Sequence, residues 1–175
     1  MAKLFVLGAV FLGILAGCGK REPAQTRSPA AGLPEGLLVG EAPKAARTVT
    51  QVIAEAQDGQ EVVVFGRVGG RKEPFVNGRA VMIVIDRAVK SCADEGEDCP
   101  QPWDFCCETP EELARKSVAV QVVDSDGRPL KTGLAGAGGL APLSEVTIAG
   151  VLQRSTDGKA VTINARQIHV GGGRR

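Results

Sequence analysis

The run Glu61-Val62-Val63-Val64-Phe65-Gly66-Arg67-Val68 decides the fold class. It is β-branched and alternating, with Val62, Val64, Gly66 and Val68 on one face, as a half-buried strand requires. Four further runs repeat this grammar downstream. Residues 79–86 carry Val81, Ile83 and Ile85, and their second face is also partly apolar through Met82 and Val84. Residues 117–123 carry Val118, Val120 and Val122, and residues 145–153 carry Val146, Ile148, Gly150 and Leu152. Residues 160–170 begin with Val161, Ile163 and Ala165, then change phase to Ile168 and Val170. A change of phase inside a strand predicts a β-bulge, which shifts the facing pattern by one residue. Asp126-Gly127 and Asp157-Gly158 are turn signals, and the second predicts a tight hairpin joining the last two strands.

Five short strands cannot all bury their apolar faces in one flat open sheet. A small closed or partly closed barrel buries them and removes the exposed edges. Just before the first strand, Thr48-Val49-Thr50-Gln51 has the spacing of a capping box, and Val49, Val52, Ile53 and Ala56 share one face of a helix. Asp58-Gly59 supplies the stop. The expectation is an all-β domain with one short N-terminal helix: a five-stranded small barrel over residues 48–170, with an insertion at 91–116 between strands two and three.

At this point the chain resembles an OB-fold of the nucleic-acid-binding type. Residues 61–68, Phe75, Gly78-Arg79 and the apolar run ending in Asp86 resemble its first two strands, and Val146-Thr147-Ile148-Ala149-Gly150-Val151 resembles its fourth. Two features depart from that pattern. The usual helix between strands three and four is replaced by a Gly-rich stretch, 133–140, and a cysteine-bearing insertion follows strand two. The resemblance implies polyanion contacts around the first hairpin, at Arg67, Arg71, Lys72, Phe75 and Arg79, with Phe75 stacking a base.

Composition weighs against that use. The chain has 175 residues, with 21 Lys+Arg against 20 Asp+Glu, whereas a general nucleic-acid binder carries a clear basic excess. One domain and a tail fit this length. With one His in the chain, a His-rich metal site is excluded and a Ser-His-Asp triad is disfavoured; His169 reads as a surface strand residue. The Gly-rich stretch lacks Gly-Lys-Ser/Thr and is no phosphate loop. No enzymatic constellation emerges.

The N-terminus gives an address. After Met1-Ala2-Lys3, residues 4–15 form an apolar run shorter than the roughly 20 residues a spanning helix needs, so it reads as a signal-peptide core. Leu15-Ala16-Gly17-Cys18 resembles the lipobox of bacterial lipoproteins. That resemblance implies removal of residues 1–17, acylation of Cys18 and attachment to the extracytoplasmic face of a cell membrane or outer membrane; Gly19 after the Cys permits the outer one. Cleavage removes Lys3 and no acid, leaving a neutral chain with 20 basic and 20 acidic residues. Residues 18–47, rich in Ala, Gly and Pro, read as a flexible tether, and 171–175 as a disordered tail.

The insertion holds Cys92, Cys99, Cys106 and Cys107 within 16 residues, with many acids and the single Trp, Trp103. In an exported chain four thiols imply two disulfides. Adjacent Cys106 and Cys107 would each reach back, to Cys92 and Cys99, and staple a flap over one side of the barrel. The alternative is a metal site in which the same four thiolates hold zinc or copper(I), although the spacing is not that of a zinc ribbon. A thiol-redox role lacks a C-x-x-C. The acids Asp94, Glu95, Glu97 and Asp98 lack calcium-loop order, and Trp103 with Phe105 reads as packing or a partner surface. These observations lead to a membrane-anchored, cofactor-free binding or assembly module with an envelope protein partner, in preference to an enzyme.

Overall fold

A computed structural model describes residues 32–96, 99, 101, 103–158 and 160–171. The expected signal peptide, Cys18, the first part of the tether and residues 172–175 lie outside the described residues. The elements in chain order are β1 (Leu38–Val39), β2 (Arg47–Thr48), α1 (Val49–Glu55), β3 (Glu61–Val68), β4 (Val81–Ile85), α2 (Cys92–Glu95), α3 (Pro110–Lys116), β5 (Ser117–Gln121), β6 (Glu145–Arg154) and β7 (Val161–Val170). None of the described helices is long and apolar enough to cross a membrane.

Strands β3 to β7 close into the expected small barrel. Going round it, β3 pairs with β4, β4 with β5, β5 with β7, β7 with β6, and β6 returns to β3. All these pairs are antiparallel except β5 with β7. The alternating residues read from the sequence fill the interior: Val62 and Val64, Met82 and Val84, Val118 and Val120, Val146, Ile148 and Leu152, Ile163 and Ile168. On four strands the inward set follows the expected phase. On β4, Met82 and Val84 face inward while Val81 and Ile83 stay half-exposed, so the interior takes the second apolar face of this strand rather than that of Val81 and Ile83.

The phase change in β7 is a bulge. Ala149 pairs with Gln167 while Gly150 pairs with Ala165, so Arg166 is the extra residue. A side chain at Gly150 would place its Cβ 2.3 Å from the Asn164 carbonyl oxygen, so this close approach requires glycine. The hairpin between β6 and β7 turns on Gly158 at φ +69°, with the Ser155 N–H donating to the Ala160 carbonyl at 2.9 Å.

Helix α1 begins at the expected capping box. The Gln51 N–H donates to Thr48 Oγ1 at 3.3 Å, and the Thr48 N–H to Gln51 Oε1 at 3.0 Å. Its buried face, Val49 and Val52, joins the core. At its other end the Arg154 guanidinium donates to the Ala56 carbonyl at 2.9 Å, satisfying a carbonyl the helix leaves open. The Gly-rich stretch between β5 and β6 forms a 3-10 turn, Ala137–Gly139, and seals the barrel through buried Leu134 and Leu140.

The expected tether, 18–47, is too long by its second half. Leu37 is buried, its carbonyl accepts the Ile168 N–H at 2.6 Å, and β1 pairs in parallel with Ile168 and His169. Strand β2 pairs in parallel with Val64 and Phe65. The physical reason lies in the barrel's own gaps. β5 pairs only with residues 162–164 of β7, and β4 only with 67–68 of β3, which leaves edges for the incoming chain to fill. The insertion also contains two short helices beyond the one expected. Of these, α3 starts at a Thr109 cap followed by Pro110, with Glu111 and Glu112 in its first turn and Arg115 and Lys116 in its last.

Candidate functional site

The insertion is fastened to the barrel by an ion pair. Arg67 lies on β3 between inward-facing Gly66 and Val68, so its side chain leaves the barrel wall, where the insertion covers it to 7% exposure. Its guanidinium meets the Asp94 carboxylate with two nitrogens, Nη2 donating to Oδ1 at 3.3 Å. Asp94 also accepts the Ser91 N–H and hydroxyl, each at 2.9 Å. Burial opposes the Asp94 charge, but Arg67 and Ser91 outweigh it and hold the carboxyl well below the usual range. Arg67 is therefore withdrawn from the polyanion surface expected of it: its charge is spent inside the molecule.

A second fastening is apolar. Phe105, 1% exposed, packs with Ile85 and Val89, flanked by Leu113 and Leu143. It fits a notch at Gly69, where an added Cβ would lie 2.5 Å from the ring. Trp103 is half-buried, and its Nε1 donates to the Lys72 carbonyl at 3.1 Å, tying the insertion to the β3–β4 hairpin. Asp86, at the end of β4, is buried and accepts the Thr50 N–H at 2.9 Å and the Ala88 N–H at 3.0 Å. Burial again opposes the charge, and these backbone donors keep the Asp86 carboxyl below its ordinary value.

The four insertion thiols divide three and one. The Sγ atoms of Cys92, Cys106 and Cys107 lie within 4.8 Å of one another, with Cys92 buried and the other two exposed. Cys99 stands outside this group, its thiol 3.5 Å from the Gln101 carbonyl. No described pair stands at S–S bonding distance: Cys92 and Cys106 Sγ are 3.3 Å apart. The two expected bridges are therefore not formed in this structure. Among the acids of this segment, Asp94 is engaged by Arg67 and Glu95 by Lys90 at 3.2 Å.

The remaining predicted contacts surround the β3–β4 hairpin. Arg71, Lys72 and Arg79 are exposed. Phe75 is half-buried against the core and bridges to Met82, so its ring is engaged in packing. Beside them the outer wall of β4 and β5 is apolar, with half-exposed Val81, Ile83 and Ala119; Ile83 pairs with Ala119. Val76, on the same hairpin, is 45% exposed, the one large apolar side chain so exposed among the described residues. His169 is half-buried at the β1–β7 junction, its Nδ1 3.2 Å from the Val39 carbonyl. An open groove of about 550 Å³ is lined by Leu33, Leu38, Val39, Gly138, Ile168 and Val170, none of them among the binding residues expected from the sequence.

Fold and site together define a closed five-stranded barrel of OB-like form carrying a clamped, thiol-bearing insertion. No protein-family model and no curated protein matches the chain.

Proposed function

We propose that this protein is a lipid-anchored, extracytoplasmic binding module of the bacterial envelope, held on the membrane through Cys18. It acts by docking a protein partner, without catalysis, on the outer wall of β4 and β5. The observation that carries this reading is the apolar strip of Val81, Ile83 and Ala119, with exposed Val76 and the exposed cations Arg71, Lys72 and Arg79 on the hairpin that leads into β4. An apolar centre with a polar rim is the usual anatomy of a protein interface. A nucleic-acid role is less well supported. Arg67 is consumed by Asp94, Phe75 is packed, and the chain cleaved at Cys18 would be neutral.

The test is affinity capture from crosslinked membranes with the wild-type chain and Ile83→Asp, both first checked for folding by circular dichroism. Capture of the same envelope protein by wild type, lost in Ile83→Asp, supports the docking surface. A wild-type sample that enriches no partner sinks it. Intact mass of the membrane-extracted protein reads the anchor directly: an unmodified Cys18 overturns that part.

A further inference from the structure

We propose that Cys92, Cys106 and Cys107 form a three-thiolate site for a soft monovalent metal cation, copper(I) foremost. The site is separate from the β4–β5 docking wall and does not depend on it. Geometry comes first. Three sulfurs arranged in a plane around an ion at about 2.3 Å stand about 4.0 Å apart. The three Sγ atoms here lie within 4.8 Å of one another, with Cys92 and Cys106 at 3.3 Å, so rotations of exposed Cys106 and Cys107 bring them to that spacing.

The scaffold holds the ligands from two sides. Cys92 opens α2, whose position is set by the Arg67–Asp94 clamp, and its N–H donates to the Asp104 carbonyl at 3.0 Å. Cys106 and Cys107 directly follow Phe105, whose ring is locked in the notch at Gly69. Ligands mounted on such anchored supports lose little freedom when they bind. One buried and two exposed sulfurs give the ion a dry inner side and an entry route.

Ligand count selects the metal. Thiolates favour soft cations, and zinc in structural sites takes four ligands, whereas this cluster offers three sulfurs with Cys99 outside it. Copper(I) is satisfied by three. On binding, each thiol releases one proton and no electron moves, so the copper must arrive already reduced. Affinity therefore falls as pH falls.

The full chain, reduced and kept anaerobic, is titrated with copper(I) alone against a colorimetric copper(I) chelator, following the ultraviolet thiolate-to-copper band. The expected result is a single ion per chain. Cys106→Ser and Cys107→Ser, both at exposed positions, should each weaken binding by more than the roughly 10–100-fold that loss of a mere ligand-supporting group costs. Cys99→Ser should bind as the parent does. Cys92 is buried, so Cys92→Ser is interpreted only alongside an unchanged circular dichroism spectrum. Absence of saturable binding overturns the proposal. So does an equal loss in Cys99→Ser, which would indicate a four-thiolate site, or a Cys92–Cys106 disulfide in protein isolated from its native membrane.

Discussion

Replacing Asp94 by Asn tests whether the insertion is clamped as described. Asparagine keeps the shape and an acceptor for the Ser91 N–H, but removes the charge facing Arg67. That guanidinium is only 7% exposed, and its Nε has no hydrogen-bond partner. Breaking a buried pair by removing one member costs about 3–5 kcal/mol, because the other charge is left without compensation. The Asp94 side chain retains 28% exposure, so water reaches part of the pair and the lower end, about 3 kcal/mol, applies. At about 3–4 °C per kcal/mol for a domain of this size, the melting temperature should fall by about 10 °C. Urea unfolding and thermal melts of the full chain, followed by circular dichroism, measure both quantities. A double variant, Arg67→Met with Asp94→Leu, should recover most of the loss, since an apolar pair can replace a buried ionic one at little cost. An Asp94→Asn chain within about 0.5 kcal/mol of the parent, the scatter expected of surface substitutions, would refute the clamp.

Two further outcomes follow from the same region. Asp86 and Asp94 both have carboxyls below the ordinary range in the folded chain, so the unfolded chain binds more protons in mild acid. Their contribution is fully present above the unfolded value near pH 4 and is lost as pH falls through the folded values. Urea midpoints should be level from neutrality to about pH 5 and decline below about pH 4, with a shallower decline in Asp94→Asn. Phe105→Ala should cost about 3–5 kcal/mol through the cavity left at the Gly69 notch and shift Trp103 fluorescence towards that of a solvated indole; a loss below about 1 kcal/mol would mean the ring is not an anchor.

The barrel was legible because its signal is periodic. Alternation marked each of the five strands, and the slip from Ala165 to Ile168 announced the bulge that the pairing of Gly150 with Ala165 confirms. The Thr48–Gln51 box was equally readable, since both its hydrogen bonds are local. What escaped was non-local. β1 and β2 have two residues each, too few for periodicity, and their partners lie more than a hundred and about seventeen residues away. Only the Leu37-Leu38-Val39 triplet within the Pro-rich lead hinted at order. Arg67 looked like an exposed strand cation because nothing in its own strand discloses Asp94, and the three-and-one division of the thiols depends on loop geometry rather than spacing. By contrast, Thr109-Pro110-Glu111-Glu112 carried a readable helix start within the insertion, where no helix was expected.

The parallel pairing of β5 with β7 sets a timetable. Because β7 follows β1, β5 and β6 in the chain and pairs with all three, none of these has its complete set of neighbours until β7 has been made. Until then Val118 and Val120 of β5 have no β7 beside them, and the lead strand β1 has nothing to pair with. A chain built this way keeps its barrel open until β7 is made and closes in a late step, as pairings distant in sequence require. The same ordering makes the C-terminal strand, rather than the conspicuous cysteine segment, the place where truncation does most damage.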